Sequence, residues 1–225
     1  THRAQGQAVV YVENGYLVAC KGDFQQTIAL SAIPITMDGM IPFQVENVMA
    51  SVAAAWALGL DWDTIRSGLA GFSNDAHNAQ GRFNLFKYRG ATVIADYGHN
   101  PDAMIALVQA VQAMPANRRS VVISGAGDRR DQDIRQQTEI LGDAFDEVVL
   151  YEDQCQRGRE DGEVIALLRQ GLAHARRTTQ TSEIRGEFLA IDTAMDKLAT
   201  GDLCLILVDQ VEEALAHISA KVQKG

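Results

Sequence analysis

The sequence predicts an α/β protein: a Rossmann-like, mostly parallel sheet in the C-terminal part, preceded by a smaller and truncated piece. Three observations carry this expectation. From Gly81 onward, short apolar β-rich runs alternate with runs of helical period, the pattern of parallel βαβ units. A polar turn, Asp96-Tyr97-Gly98-His99-Asn100-Pro101-Asp102, follows the apolar run 91–95, and strand carboxyl ends are where such sheets take ligands. Residues 1–80 read differently, as a hairpin-rich stretch followed by two helices.

In order along the chain, residues 8–12 and 16–20 flank Asn14-Gly15, the strongest short signal for a hairpin. Residues 26–30 add a strand, and 33–35 a short edge segment around Pro34. Phe43, Val45, Val48, Met49, Val52, Ala55 and Trp56 recur at helical spacing up to Gly59. Asp61 is placed to cap a second helix running to Gly71. That is too little sheet for a self-sufficient α/β domain. The chain also opens on Thr1, in polar sequence leading straight into a strand, which reads as a cut inside a longer protein.

Strands are expected at 82–88 and 91–95, joined at Arg89-Gly90, and then a helix from 103 to about Met114-Pro115. A strand at 120–124 leads into the loop Gly125-Ala126-Gly127-Asp128-Arg129-Arg130 and a helix at 131–144. The strand 147–151 leads into a charged loop at 152–161 and a helix at 163–173. A short strand at 178–184, a helix at 188–198, a buried strand at 203–208 and a helix at 211–222 complete the pattern.

Composition narrows the function classes. The 225 residues carry a net charge of −9, which argues against a nucleic-acid binder and is compatible with a cationic small substrate. No apolar run approaches the roughly 18 residues of a membrane span, and the first residues lack an apolar leader. Cys20, Cys155 and Cys204 show no metal spacing and fit a reducing cytoplasm. There is no Gly-Lys pair and therefore no P-loop, and Arg130 breaks the dinucleotide fingerprint that Gly125-Ala126-Gly127 begins.

Several residues are candidates for binding chemistry, each with a plainer alternative. The turn at 96–102 is either a capped helix start or, with Pro101 at the first helical position, an anion seat. Arg82 has the planar fork that grips phosphate, or is a surface arginine. Asn47 stands in an apolar-rich helix, for a hydrogen-bonding task or simply facing solvent. Asp128 and Arg129 flank a glycine turn. Asp153, Arg157 and Arg159 sit in a charged loop whose acids suit a cationic group and whose arginines suit a carboxylate.

Together these elements resemble the Mur ligase superfamily, which includes the folylpolyglutamate synthases. The stretch 96–102 is similar to its Asp-Tyr-Ala-His-x-Pro-Asp signature, and Gly81-Arg82-Phe83, about 14 residues upstream, to its Gly-Arg element. Val45-Glu46-Asn47-Val48-Met49-Ala50 resembles its Asn-bearing helix, and Gly125-Ala126-Gly127-Asp128-Arg129 its Gly-Gly-Asp-Arg-like turn. Within the superfamily, the loop 153–163 and the ending 201–214 resemble a member that polymerises aspartate and attaches arginine to each β-carboxylate. The resemblance covers essentially the whole chain. It implies that residues 1–80 are the tail of a Mur-type central ATPase domain and 81–225 a C-terminal lid domain.

The same resemblance implies an ATP- and Mg2+-dependent ligase that activates a carboxylate as an acyl phosphate for attack by an amine. Asn47, Arg82, Asp96, His99 and Asn100 would then hold ATP. Asp128, Arg129, Asp153, Arg157 and Arg159 would face the incoming amino acid or polymer. L-arginine and an aspartate-containing polymer are the implied substrates, with neither nucleic acid nor membrane as partner; the oligomeric state, a homo-oligomer included, stays open. The P-loop and the magnesium ligands are expected upstream, so the chain alone is expected not to ligate. Two alternatives remain: a Mur or folylpolyglutamate-type ligase for another amino acid, and a non-catalytic Rossmann-like nucleotide-binding module.

Overall fold

The computed structural model describes residues 2–75, 78–152 and 157–224. The chain divides into two compact units, Thr1–Ser73 and Asn74–Gly225.

The first unit opens with an antiparallel meander of β1 (Val9–Glu13), β2 (Tyr16–Lys21) and β3 (Phe24–Ala29). Asn14 and Gly15 both take positive φ, at 51° and 79°, as the two-residue turn between right-twisted strands requires. The edge segment expected at 33–35 is instead a single 3-10 turn, Pro34–Thr36. Thr36 explains the difference, because its hydroxyl donates to the carbonyls of Leu30 (3.0 Å) and Ile33 (2.9 Å) and curls the chain. Ile33 is apolar because it is buried, not because it pairs in a sheet. Two helices follow, α1 (Pro42–Ala57) and α2 (Trp62–Gly71). Asp61 caps α2 by accepting from the Thr64 N–H at 2.9 Å. Leu17, Ile28, Leu30, Ile33, Val48, Val52 and Ile65 close a small core between sheet and helices.

The second unit has a six-stranded sheet in the order β4-β5-β9-β6-β7-β8. Its strands are β4 (Asn84–Tyr88), β5 (Ala91–Asp96), β6 (Arg119–Ile123), β7 (Glu147–Glu152), β8 (Gln180–Arg185) and β9 (Leu203–Leu207). Only the β4–β5 hairpin is antiparallel; the other pairings are parallel. The last strand, β9, enters between β5 and β6, with Leu205 level with Ile94 on one side and Val121 on the other. All five of its residues are buried, as a strand covered on both faces requires.

The helices are α3 (Pro101–Ala113), α4 (Asp131–Gly142), α5 (Glu163–Leu172), α6 (Glu187–Asp196) and α7 (Val211–Lys224). On one face Val93, Ala95, Val122, Val149, Cys204 and Ile206 pack against Ala190, Ile191 and Met195 of α6 and Ala214, Leu215 and Ile218 of α7. The alternate residues, such as Ile94, Val121, Val148 and Leu205, are equally buried on the opposite face, which α3, α4 and α5 cover. No helix among the described residues is long and apolar enough to cross a membrane.

β4 starts two residues later than expected because Gly81 and Phe83 take positive φ, 67° and 55°. The buried Asn84 side chain holds that bend, accepting from the Gly81 N–H (2.8 Å) and donating to the carbonyls of Ala79 (2.8 Å) and Asn74 (3.1 Å). These bonds also tie Asn74 to the second unit.

α4 and α5 approach closely at Gly171, where an added Cβ would collide with the Arg135 carbonyl and the Thr138 hydroxyl. That hydroxyl already bridges the helices by donating to Leu168 O at 2.7 Å. Gly171→Ala is therefore expected to lower the unfolding free energy by about 1–3 kcal/mol, read from urea denaturation. A wild-type midpoint would contradict the contact.

At the amino end of the sheet, Asp146 joins three strands. It accepts from the Arg119 N–H at 2.7 Å and from Arg177 Nε at 3.0 Å. Burial works against its charge, but the Arg177 fork and the Arg119 N–H outweigh it and hold the carboxyl below its ordinary value near 3.8. A carboxyl lowered on folding contributes stability above its unfolded value and loses it as pH falls through the folded one. Asp146→Ala is thus expected to cost about 1 kcal/mol at neutral pH, after screening of this partly exposed pair. That deficit should shrink below about pH 4, measured by denaturation across pH.

Candidate functional site

The parallel strands of the second unit all end at one pole, and the turns leaving β5, β6, β7 and β9 gather there. The turn after β5 is built on Asp96, which is only 7% exposed. One carboxylate oxygen accepts from the Phe83 N–H at 2.8 Å and the other from the Gly98 N–H at 2.6 Å. Tyr97 N donates to Gly81 O at 2.9 Å, so the bend at 81–83 and the turn at 96–98 are laced together. Burial strips water from the Asp96 carboxylate and raises its pKa despite the two N–H donors.

Asn100 caps α3 by accepting from Ala103 N–H at 2.9 Å, with Pro101 in the first helical position. The helix-cap reading of this turn is therefore correct for Asn100. His99 does something else. Its Nδ1 lies 2.8 Å from Tyr97 O, and its Nε2 lies 3.0 Å from Nη2 of Arg129. Its ring packs 4.6 Å from that of Tyr97, and its carbonyl accepts from Gln137 of α4 at 3.3 Å.

The glycine turn after β6 is braced from the loop after β7. Arg159 donates to Gly127 O (2.7 Å), Arg129 O (2.8 Å), Asp131 (2.8 Å) and Glu163 (2.5 Å). Its side chain is only 15% exposed, so these bonds occupy it within the protein. Gly125 is required where it stands, because a Cβ there would sit 2.6 Å from Val164 of α5. Arg157 pairs with Asp209 at 2.6 Å, lies 3.7 Å from Asp128, and interacts with Tyr97. Asp209 is held from beneath: Glu187, buried in the first turn of α6, accepts from the N–H groups of Asp209 (2.8 Å) and Gln210 (3.1 Å).

The residues expected from the sequence therefore divide. Asp96, His99, Asn100, Asp128, Arg129, Arg157 and Arg159 come together at the pole of the second unit. Arg82 stands beside Asp96, close enough for its charge to act on that carboxylate. Its guanidinium is exposed and has no hydrogen bond or ion pair among the described residues. Asn47 belongs to the first unit, on the exposed side of α1, and donates to Gln44 at 3.2 Å. Asp153 and Cys155 lie outside the described residues. Tyr97, Gln137, Glu187 and Asp209 were not singled out from the sequence. Asp209 carried a usable signal, since it directly follows an apolar strand; Gln137 carried none, because a mid-helix glutamine is unremarkable in sequence. Among the described residues no three His, Cys, Asp or Glu side chains gather to hold a metal ion.

Residues 81–221 match the family model described as Mur ligase, glutamate ligase domain. The chain belongs to the Mur ligase family. Among curated relatives of the Mur ligases, the cyanophycin synthetase of Geminocystis herdmanii is 35% identical over 217 residues, 96% of this chain and 25% of that protein. The cyanophycin synthetase of Crocosphaera subtropica is 34% identical over 220 residues, 97% of this chain and 25% of that protein. The chain thus spans about a quarter of the length of these relatives. Among solved structures, E. coli FolC in complex with ADP superposes with a TM-score of 0.69 at 21% identity, over 96% of this chain and 46% of that one. MurF of Thermotoga maritima, also with ADP, gives 0.58 at 16% identity over 97% and 46%. These likenesses establish the fold: a mixed α/β unit with a mostly parallel sheet.

Gly98 stands where the family signature carries alanine. A Cβ there would lie 3.0 Å from both Asp96 Oδ1 and Leu107, so alanine would fit here only if a neighbour gave way slightly. Asp96→Asn presents an amide N–H to one of the two backbone donors. The variant is expected to lose about 1–3 kcal/mol of stability, measured by urea unfolding followed by fluorescence. A loss no larger than for a surface substitution would mean that the carboxylate does not hold the turn.

Proposed function

We propose that this chain is the nucleotide-facing part of a longer ATP-dependent acid–amino-acid ligase, one that joins L-arginine to aspartate β-carboxylates of a polymer. The observation that carries the reading is Arg82: an exposed, unengaged guanidinium beside the buried Asp96, at the carboxyl pole of a parallel sheet. The relatives named cyanophycin synthetase, similar along nearly the whole chain, support the choice of substrates.

In this reading ATP supplies the phosphoryl group that activates the acceptor carboxylate, and phosphate leaves when the arginine amine attacks the acyl carbon. Arg82 neutralises phosphate charge. Asp96, whose oxygens each keep a lone pair beyond the N–H they accept, meets the ribose, with His99 and Asn100 shaping the wall beside it. Asp128, Arg129 and Arg157 face the amino acid, with Arg159 as the brace that holds their loop. The described residues offer no cluster suited to Mg2+; in a longer protein its ligands come with the P-loop. The chain by itself is expected not to ligate.

Arg82→Ala tests the nucleotide assignment without disturbing the fold, because that side chain is exposed. In the intact ligase it should raise the ATP KM about ten-fold while the unfolding midpoint stays put. An unchanged KM would remove Arg82 from the phosphate site. ATP hydrolysis by the same protein should depend on arginine; equal stimulation by glutamate or diaminopimelate would overturn the amino-acid assignment.

A further inference from the structure

We propose that His99 is a positioning residue: a neutral imidazole carrying its proton on Nδ1, whose Nε2 lone pair holds the Arg129 guanidinium and locks the turn after β5 to the glycine turn after β6. Two contacts demand the same tautomer. A guanidinium only donates, so Arg129 Nη2 at 3.0 Å requires an unprotonated Nε2. A carbonyl only accepts, so Tyr97 O at 2.8 Å requires the proton on Nδ1.

A second tether comes from the same side. Gln137 of α4 is fully buried and donates to His99 O, while its own Oε1 is buried without a partner. Its side chain therefore serves His99 alone among the described residues. The β6–α4 segment thus grips one histidine twice, through its ring and through its backbone. Arg129 gains most from this. It is exposed, and among the described residues its guanidinium makes no other hydrogen bond, so without the ring it would sample many rotamers. Held by one nitrogen, it keeps its remaining donors pointed outward.

The charged groups around the ring are Arg129 from the glycine turn, Arg157 acting on the adjacent Tyr97, and Asp96 of its own turn. Protonating Nε2 would remove the acceptor and set two cations N–H to N–H, so the lock exists only on the neutral ring. For catalysis this rests on the reading that places ATP at the β5 turn and the amino acid at Arg129: the lock makes those two seats move as one.

Two measurements test it. On the histidine-labelled chain, two-bond 1H–15N correlation should show His99 with Nδ1 protonated and Nε2 bare, the signals being assigned by their loss in His99→Gln. In Arg129→Met the Nδ1–H form should persist, held by Tyr97 O, while the Nε2 resonance shifts as its hydrogen bond is lost. A dominant Nε2–H form, or an unaltered spectrum in Arg129→Met, overturns the lock. In the intact ligase, His99→Phe and Arg129→Met should each lower kcat/KM for the amino acid about ten-fold, and the double variant no further. His99→Gln, whose amide oxygen can still accept, should regain most of the loss. Independent losses that multiply to about a hundred-fold overturn the coupling. A protein that ligates no amino acid would refute the proposed function, and the tautomer would still decide the lock.

Discussion

A buried carboxylate with two backbone partners organises the carboxyl pole of the second unit's sheet. Asp96 closes β5, and its oxygens take the N–H groups of Phe83 and Gly98. Without it, two donors in tight bends would face protein instead of water, at a cost of about 1–3 kcal/mol each. Phe83 stays in its left-handed conformation because that bond, the Tyr97–Gly81 link and the Asn84 side chain all hold the same bend. Arg82 lies inside this bend, so its place beside Asp96 follows from the bend rather than from any bond of its own.

The same division of labour recurs around the pole. Arg159 and Glu187 use charge to shape backbone: one holds two carbonyls of the glycine loop and Asp131 at the start of α4, the other the N–H groups of Asp209 and Gln210 beyond β9. Both are largely buried and largely satisfied. Arg82 and Arg129 are exposed, with donors left over. Residues that brace and residues able to meet a ligand are thus the same chemical types, separated by how many hydrogen bonds the fold already demands of them. This gives the Arg-rich loop after β7 two roles rather than one, since Arg159 is drawn inward while Arg157 bridges toward Asp209 and Asp128.

Much of the fold was legible before any coordinates. Alternating apolar runs placed every strand and helix of the second unit within about two residues, because buried parallel strands and amphipathic helices differ in period. Asn14-Gly15 announced the hairpin, and Asp61 the cap of α2. The edge segment at 33–35 failed for a local reason: a threonine hydroxyl turned apolar residues into a 3-10 turn. Of the candidate site, the turn at 96–102 and the glycine turn at 125–129 could be found as polar breaks after strands. Gln137 and Glu187 could not, because their partners are distant in the chain.

The sequence by itself determined which segments become strands and helices and which turns carry polar side chains, because those depend on neighbours a few residues away. It could not determine the strand order. Only the tertiary structure put β9 between β5 and β6, bringing Asp209 beside Arg157 and the turns after β5 and β6 within reach of one His99–Arg129 contact. It also decided which arginines are engaged and which are open. The physical reason is that hydrogen bonding and burial are properties of a three-dimensional neighbourhood: Arg82 and Arg159 are the same residue in sequence, and only packing leaves one exposed and makes the other a brace.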